Sequence, residues 1–258
     1  MTLARRIIPC FDLLKGRVVK GIRMQDVEDK ADPVAVARAF EEQGADGLAI
    51  LDVTGGGGRG DALAEVLARV SEQVFIPLTA GGGIGDCQEI RRMLDAGADK
   101  VMLNTAAFLD PELVRRAVDR FGGESIIGAV DVRRRKGGRS EAAWEVMTHG
   151  GRKATGTDAR GWVQRLADYG VGEILLTSMD CDGTRKGFDL PLVETMAAIS
   201  TVPLVVAGGA GEPEDIAAVL GDRLADGVMV ASLFHSGKYT VDGVKEFLSL
   251  RGLDIRTG

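Results

Sequence analysis

The sequence is poor in cysteine, histidine and aromatic residues, and each shortage removes a class of function. Its three cysteines, at positions 10, 87 and 181, have no metal-ligand spacing and make no disulfide framework, which points to a reducing compartment. The two histidines, His149 and His235, have no neighbours that form a triad or a metal set and are expected to serve loops. Neither a metal nor a cofactor is implied. No uninterrupted apolar run approaches the ~20 residues that a membrane helix needs. The opening "MTLARRIIPCFD" breaks its apolar run with Pro9 and Asp12, which is not the pattern of a signal peptide, so a cytoplasmic location is expected. A net charge of −6 lacks the broad basic surface of a nucleic-acid binder. No linker or low-complexity tract divides the chain, and a single domain over 1–258 is expected.

Glycine, by contrast, is abundant, with 36 residues clustered between apolar runs. Those runs lie near 6–12, 48–53, 76–80, 100–104, 125–131, 173–178, 203–207 and 227–231. Stretches such as "LAILDV", "EILLTS" and "PLVVA" are nearly continuous, the pattern of parallel strands buried on both faces. Amphipathic segments separate them: "DPVAVARAFEEQGA", "DCQEIRRMLDAGA", "DPELVRRAVDRFGG", "DARGWVQRLADYGV" and "EPEDIAAVLGD". Several open on Asp-Pro or Glu-Pro and close on glycine, as capped helices do. Eight alternations at this length predict an α/β protein with a single (β/α)8 TIM barrel. The halves also match each other. "PLTAGGGIG" at 77–85 aligns with "PLVVAGGAG" at 203–211, and "DKVMLNTAAF" at 99–108 with "DGVMVASLF" at 226–234. The barrel therefore reads as two duplicated half-barrels, approximately 1–122 and 123–258.

Under that reading Asp12 and Asp131 end the first and fifth barrel strands, on opposite sides of the C-terminal face where barrel enzymes keep their chemistry. Two carboxylates across one pocket suit a general acid and a general base. A lone Asp after a strand more often caps a turn, but a cap needs no partner at the equivalent place in the other half. The glycine clusters Gly81-Gly82-Gly83 and Gly208-Gly209, with Gly211, end the third and seventh strands. Backbone without side chains there lets N–H groups approach a phosphate, although tight turns alone would also use glycine. Asn104-Thr105 and Ser232 supply polar groups at symmetric positions after the fourth and eighth strands. The implied small-molecule substrate carries a phosphate at each end. In "TSMDCDGTRKGFD", Asp182 and Gly183 fall beside the second phosphate site; no glutamate follows at calcium-loop spacing. Lys15, Arg17 and Lys20 follow the first aspartate, and the run from Arg133 to Lys136 with Arg139 follows the second. Such runs are usually solvated faces, but on an acidic chain they suit attraction of a dianion. Gly55 to Gly58 are expected to loosen the second loop.

"RIIPCFDLLKGRVVKG", "PLTAGGGI", "GADKVMLNTAAF", "THGGRKATG", "GEILLTSMDCDGT", "AGGAG" and "ASLFH" together resemble the cyclase-subunit family of imidazole glycerol phosphate synthase, along essentially the whole chain. The resemblance implies a lyase of histidine biosynthesis. It takes PRFAR, a phosphoribosyl-formimino carboxamide ribulonucleotide with a phosphate at each end, and with ammonia yields imidazole glycerol phosphate and AICAR. It makes Asp12 and Asp131 the acid–base pair and places Lys20 in their site. It assigns Gly83, Asn104 and Thr105 to one phosphate, and Asp182, Gly183, Gly209 and Ser232 to the other or its surroundings. It also implies a glutaminase partner on the N-terminal face, sending ammonia past a charged gate to which Arg6, Lys100 and Glu173 correspond. Gly47 stands where the family has an acidic residue, and Asp46 beside it is the candidate to compensate. Arg23-Met24, Ala207, Ser236 and the tetraglycine after the second strand also depart from the family pattern. Two alternatives stay open: the sister isomerase of the same pathway, toward which Leu13 leans, and a non-catalytic paralogue regulating a glutaminase. "THGGR" and the Ser-x-Phe-His run favour the cyclase.

Overall fold

Apolar runs with no polar alternation become strands only if both faces are covered, and here helices of one-sided character supply the cover. The computed structural model describes residues 4–19, 32–54, 61–135, 143–235 and 237–256. In chain order it contains β1 (Arg6–Leu14), β2 (Arg17–Val19), α1 (Pro33–Glu42), β3 (Leu48–Asp52), α2 (Asp61–Ser71), β4 (Leu78–Gly81) and α3 (Cys87–Asp95). Next come β5 (Lys100–Leu103), α4 (Thr105–Leu109), α5 (Pro111–Phe121), β6 (Ile126–Arg134), β7 (Trp144–Thr148), β8 (Lys153–Asp158) and α6 (Ala159–Asp168). The chain continues through β9 (Glu173–Ser178), α7 (Leu190–Ala197), β10 (Leu204–Ala207), α8 (Pro213–Gly221), β11 (Gly227–Val230), α9 (Ser232–His235) and α10 (Val241–Leu250). Eight parallel strands with intervening helices make this a closed (β/α)8 barrel of the TIM class, as the alternation of runs predicts.

Two compact units are distinguished, one of Met1–Met102 with Met229–Gly258 and one of Leu103–Val228. In the first unit the strands run β5-β4-β3-β1-β11, with β2 antiparallel on β1. Phe11, Leu13, Leu48, Ile50, Leu67 and Ile90 are completely or almost completely buried in it. In the second the order is β10-β9-β6-β7-β8, with antiparallel β6–β7 and β7–β8 pairs. Local sequence fixes the helix starts. Asp86 accepts the Gln88 and Glu89 N–H groups ahead of α3, and Glu212 and Asp215 make a reciprocal capping box ahead of α8.

One device recurs in three βα units. The Asp46 carboxylate accepts the Ile7 N–H at 2.8 Å while the Asp46 N–H donates to the Ile7 carbonyl. Asp99 does the same with Leu78, and Asp226 with Leu204. Each aspartate pins the start of one parallel strand to the approach of the next. The short Ala-Asp phrase that precedes β3, β5 and β11 is therefore a structural punctuation mark.

The two aspartate strands are longer than the apolar runs imply. β1 continues to Leu14 and turns back through Lys15 and Gly16, both at positive φ, so that Asp12 pairs with Val19 across a short antiparallel return. β6 likewise continues to Arg134, and Asp131 pairs with Met147 of β7. Neither aspartate ends its strand. Each sits where a parallel strand passes into a hairpin, because apolar residues after it, Leu13 and the β-branched Val132, remain buried.

Candidate active site

In the second unit the site begins with Asp131. Its neighbour across the parallel β6–β9 pair is Thr177, and its carboxylate is largely buried. Burial pushes the carboxyl up to about 6; a hydrogen bond from the Asn104 side chain opposes the rise, and the nearby Asp182 carboxylate adds to it. At neutral pH the group is mostly ionised, yet close enough to its pKa to take up and return a proton. Asn104, which the family resemblance assigns to phosphate, thus touches the carboxylate. Thr105 follows it as the first residue of α4, and its hydroxyl oxygen accepts the His149 N–H at 2.8 Å. That contact leaves the Thr105 proton available for a ligand oxygen.

His149 is at the tip of the β7–β8 hairpin with φ of 58°, followed by Gly150 and Gly151 at positive φ, and its Nδ1 lies 3.0 Å from the Thr148 hydroxyl. It serves a loop, as expected. The signal for this contact was in "THGGR", whose consecutive glycines mark a tight reversal.

The glycines divide into two kinds. A Cβ on Gly209 would collide with the Gly187 carbonyl, and one on Gly211 with the Arg185 carbonyl. On Gly208 it would lie 2.9 Å from the Ser178 carbonyl oxygen and 3.3 Å from the Asp182 Cβ. These three lack side chains because the loop after β9 packs backbone to backbone on them. Gly183, at φ of 73°, has open space where a Cβ would be. In the first unit Gly82 is closed by the Asp52 backbone, whereas Gly83, at φ of 69°, also faces open space. Of the glycines expected at phosphates, Gly83 and Gly183 are those with room for a ligand beside the backbone.

Asp12 is half-buried in β1, in register with Leu51 of β3. One residue on, Asp52 ends β3 with its Oδ1 accepting the Thr54 N–H at 2.8 Å. Sequence reading passed over Asp52, although "LAILD" closes on a carboxylate just as "IIPCFD" does. Ser232 opens the short α9, and the Leu233, Phe234 and His235 that follow it are buried. His235 Nε2 lies 2.8 Å from the Cys10 carbonyl oxygen, and Phe40 packs edge-on against Phe234 and His235. His235 is therefore a core strut under β1, two residues before Asp12, and not a loop residue. Lys20, Arg23-Met24, Gly55 to Gly58, Lys136, Arg139 and Ser236 lie outside the described residues.

Residues 6–240 match the model of the histidine biosynthesis protein family. The chain belongs to that family. It is accordingly a histidine-biosynthesis enzyme of the type that includes the cyclase and the sister isomerase. No helix among the described residues is long and apolar enough to cross a membrane.

The residues that the cyclase resemblance places at an ammonia gate are strand starts in this family member: Arg6 opens β1, Lys100 opens β5, and Glu173, 3% exposed, opens β9. Asp46 is not available to compensate for Gly47. Its Oδ2 holds the Ile7 N–H and its Oδ1 the Lys245 ammonium at 2.7 Å, with both side chains at most 5% exposed. Lys245 also donates to the Arg256 carbonyl. A carboxylate committed to a buried ion pair and to strand pinning cannot swing to another task without stranding the lysine. Gly47 itself is confined, since a Cβ would lie 3.2 Å from the Pro77 carbonyl oxygen.

Proposed function

We propose that the chain is the cyclase subunit of imidazole glycerol phosphate synthase, converting PRFAR and ammonia to imidazole glycerol phosphate and AICAR. Asp12 and Asp131 serve as the acid–base pair. Ammonia comes from a glutaminase subunit on the N-terminal face, through a gate that includes Arg6, Lys100 and Glu173. The observation that carries this reading over the isomerase is the β7–β8 turn. Its "THGGR" sequence is of the cyclase type, and its His149 N–H is bonded to Thr105, next to the Asn104 that holds Asp131.

Asp131 suits the role of the proton acceptor at the start of turnover, because with a pKa of about 6 it is ionised in a neutral cell. Returned to its protonated form it becomes an effective donor. Gly83 and Thr105 are assigned to one substrate phosphate, and Asp182, Gly183 and Ser232 to the other or its surroundings, with Lys20 in the same site. Gly82, Gly208 and Gly209 shape the loops that carry these groups. The isomerase has one residue in its favour, Leu13, which is buried in β1. Assays for PRFAR consumption with ammonium salts and for aminoaldose isomerisation, run side by side on the isolated chain, separate the two. The cyclase reading requires turnover in the first and fails if only the second proceeds.

A further inference from the structure

The loop 179–189 between β9 and α7 carries Asp182 and Gly183, and an eleven-residue loop needs strong anchors to hold them still. Within it the Asp182 N–H donates to the Ser178 carbonyl at 2.9 Å, the Thr184 N–H and hydroxyl both donate to the Cys181 carbonyl at 3.0 and 2.7 Å, and the Lys186 N–H donates to the Thr184 hydroxyl oxygen at 3.3 Å. The Met179 N–H donates to the Val132 carbonyl at 2.8 Å and the Gly187 N–H to the Gly209 carbonyl at 2.9 Å, and one residue on β6, three positions beyond Asp131, reaches both ends of the loop. The Arg134 backbone N–H donates to Asp180 Oδ2 at 2.7 Å, near the loop's start. The Arg134 guanidinium donates to Asp189 Oδ1 at 3.1 Å, at the loop's end. Asp189 is buried at 8% exposure and is further held by the Trp144 indole N–H at 3.2 Å and the Leu192 N–H at 3.3 Å. Arg134 also lies over the Trp144 ring, 5.0 Å from its centroid. A buried carboxylate with a guanidinium, an indole and a helix N-terminus on it is a rigid knot, and removal of one cation leaves a charge stranded in the interior.

We propose that Arg134 and Asp189 are positioning residues that brace both ends of loop 179–189, thereby holding Asp182 and Gly183 in place beside Asp131. The inference rests on the cyclase reading for the identity of the substrate phosphate that meets Gly183. The brace itself does not. Arg134 and Asp189 act through the loop they hold. A general stability role would lower the melting temperature and leave KM alone, whereas a brace acts on ground-state substrate binding.

The test uses the full chain. Arg134→Gln and Asp189→Asn are expected to raise KM for PRFAR about 10-fold with kcat within about 3-fold, and Arg134→Lys to recover most of the loss. Folded variants with unchanged KM overturn the proposal. If either variant fails to fold, Trp144→Phe removes one hydrogen bond to Asp189 and keeps the ring; a KM rise of about 3-fold is expected, and no rise overturns it. Amide hydrogen exchange without substrate separates this idea from the cyclase reading. The Asp182 and Thr184 amides should exchange at least about 10-fold faster in Arg134→Gln than in the parent. Equal rates refute the brace whatever the reaction proves to be, whereas wild-type chain that fails to consume PRFAR refutes the cyclase reading and leaves the exchange result to decide the brace.

Discussion

Asp12 and Asp131 occupy the same phrase in two strands, yet their surroundings are built to different depths. After Asp12 the strand returns through a turn at Lys15-Gly16 into the three-residue β2. After Asp131 it returns through the five-residue β7 and continues into β8. That larger hairpin supplies His149 to Thr105 and Trp144 to Asp189, so the ground around Asp131 is tied down from several directions. On the strand of Asp12 a buried imidazole, His235, meets the Cys10 carbonyl. The repeated phrase thus keeps the chemical group and its place along the strand, while the described hairpins that follow differ in length. The carboxylate is the shared part; the hairpin after it belongs to each copy.

The comparison is broken most severely by removing the charge. Asp131→Asn and Asp12→Asn should each lower kcat by about 10²-fold or more, the scale of a positioned acid or base. Near-normal turnover in either variant would remove that residue from the mechanism.

A second effect should separate Asp131 from a surface aspartate. Folding raises its pKa from 3.8 to about 6, so the folded chain holds this proton more tightly than the unfolded chain does. The stability this contributes is present below pH 3.8 and lost as pH rises through about 6, leaving a buried charge at neutral pH. Asparagine carries no such charge. Asp131→Asn is therefore expected to be slowed as above yet more stable by about 2–3 kcal/mol at pH 7.5, with the advantage vanishing near pH 4. Chemical denaturation at the two pH values measures it, and a variant less stable at pH 7.5 would contradict the burial argument.

Smaller still are the effects that sort the glycines. Gly209→Ala meets the Gly187 carbonyl and should lose about 2 kcal/mol or more of stability. Gly183→Ala meets nothing and should lose about 1 kcal/mol for its positive φ while raising KM several-fold. The reverse pattern, with KM changed at 209 and stability at 183, would exchange their roles.

The barrel was legible because continuous apolar runs and capped amphipathic segments report burial directly, and all eight expected parallel strands lie within three residues of their sequence positions at either end. The hairpin extensions were not legible. "LLKGR" and "RRRKGGR" read as basic loops because their charged residues mask the short β-pairings that continue β1 and β6. Asp46 was misread for a related reason. Adjacent to Gly47 it looks like a displaced gate residue, and only its bonds to Ile7 and Lys245, the latter 199 positions away, show that it belongs with Asp99 and Asp226. The glycine clusters were read as one class because sequence records the missing side chain and not what fills the space. Arg134 reads from sequence as one cation of the Arg133–Lys136 run, and its link to Asp189, 55 positions on, belongs to no single motif.

Cyclase chemistry is tested most directly by consumption of PRFAR by the isolated, well-folded chain with ammonium salts at alkaline pH and no glutaminase present. The account predicts formation of imidazole glycerol phosphate and AICAR in equal amounts, slowed in Asp131→Asn. A folded chain that leaves PRFAR untouched would contradict it.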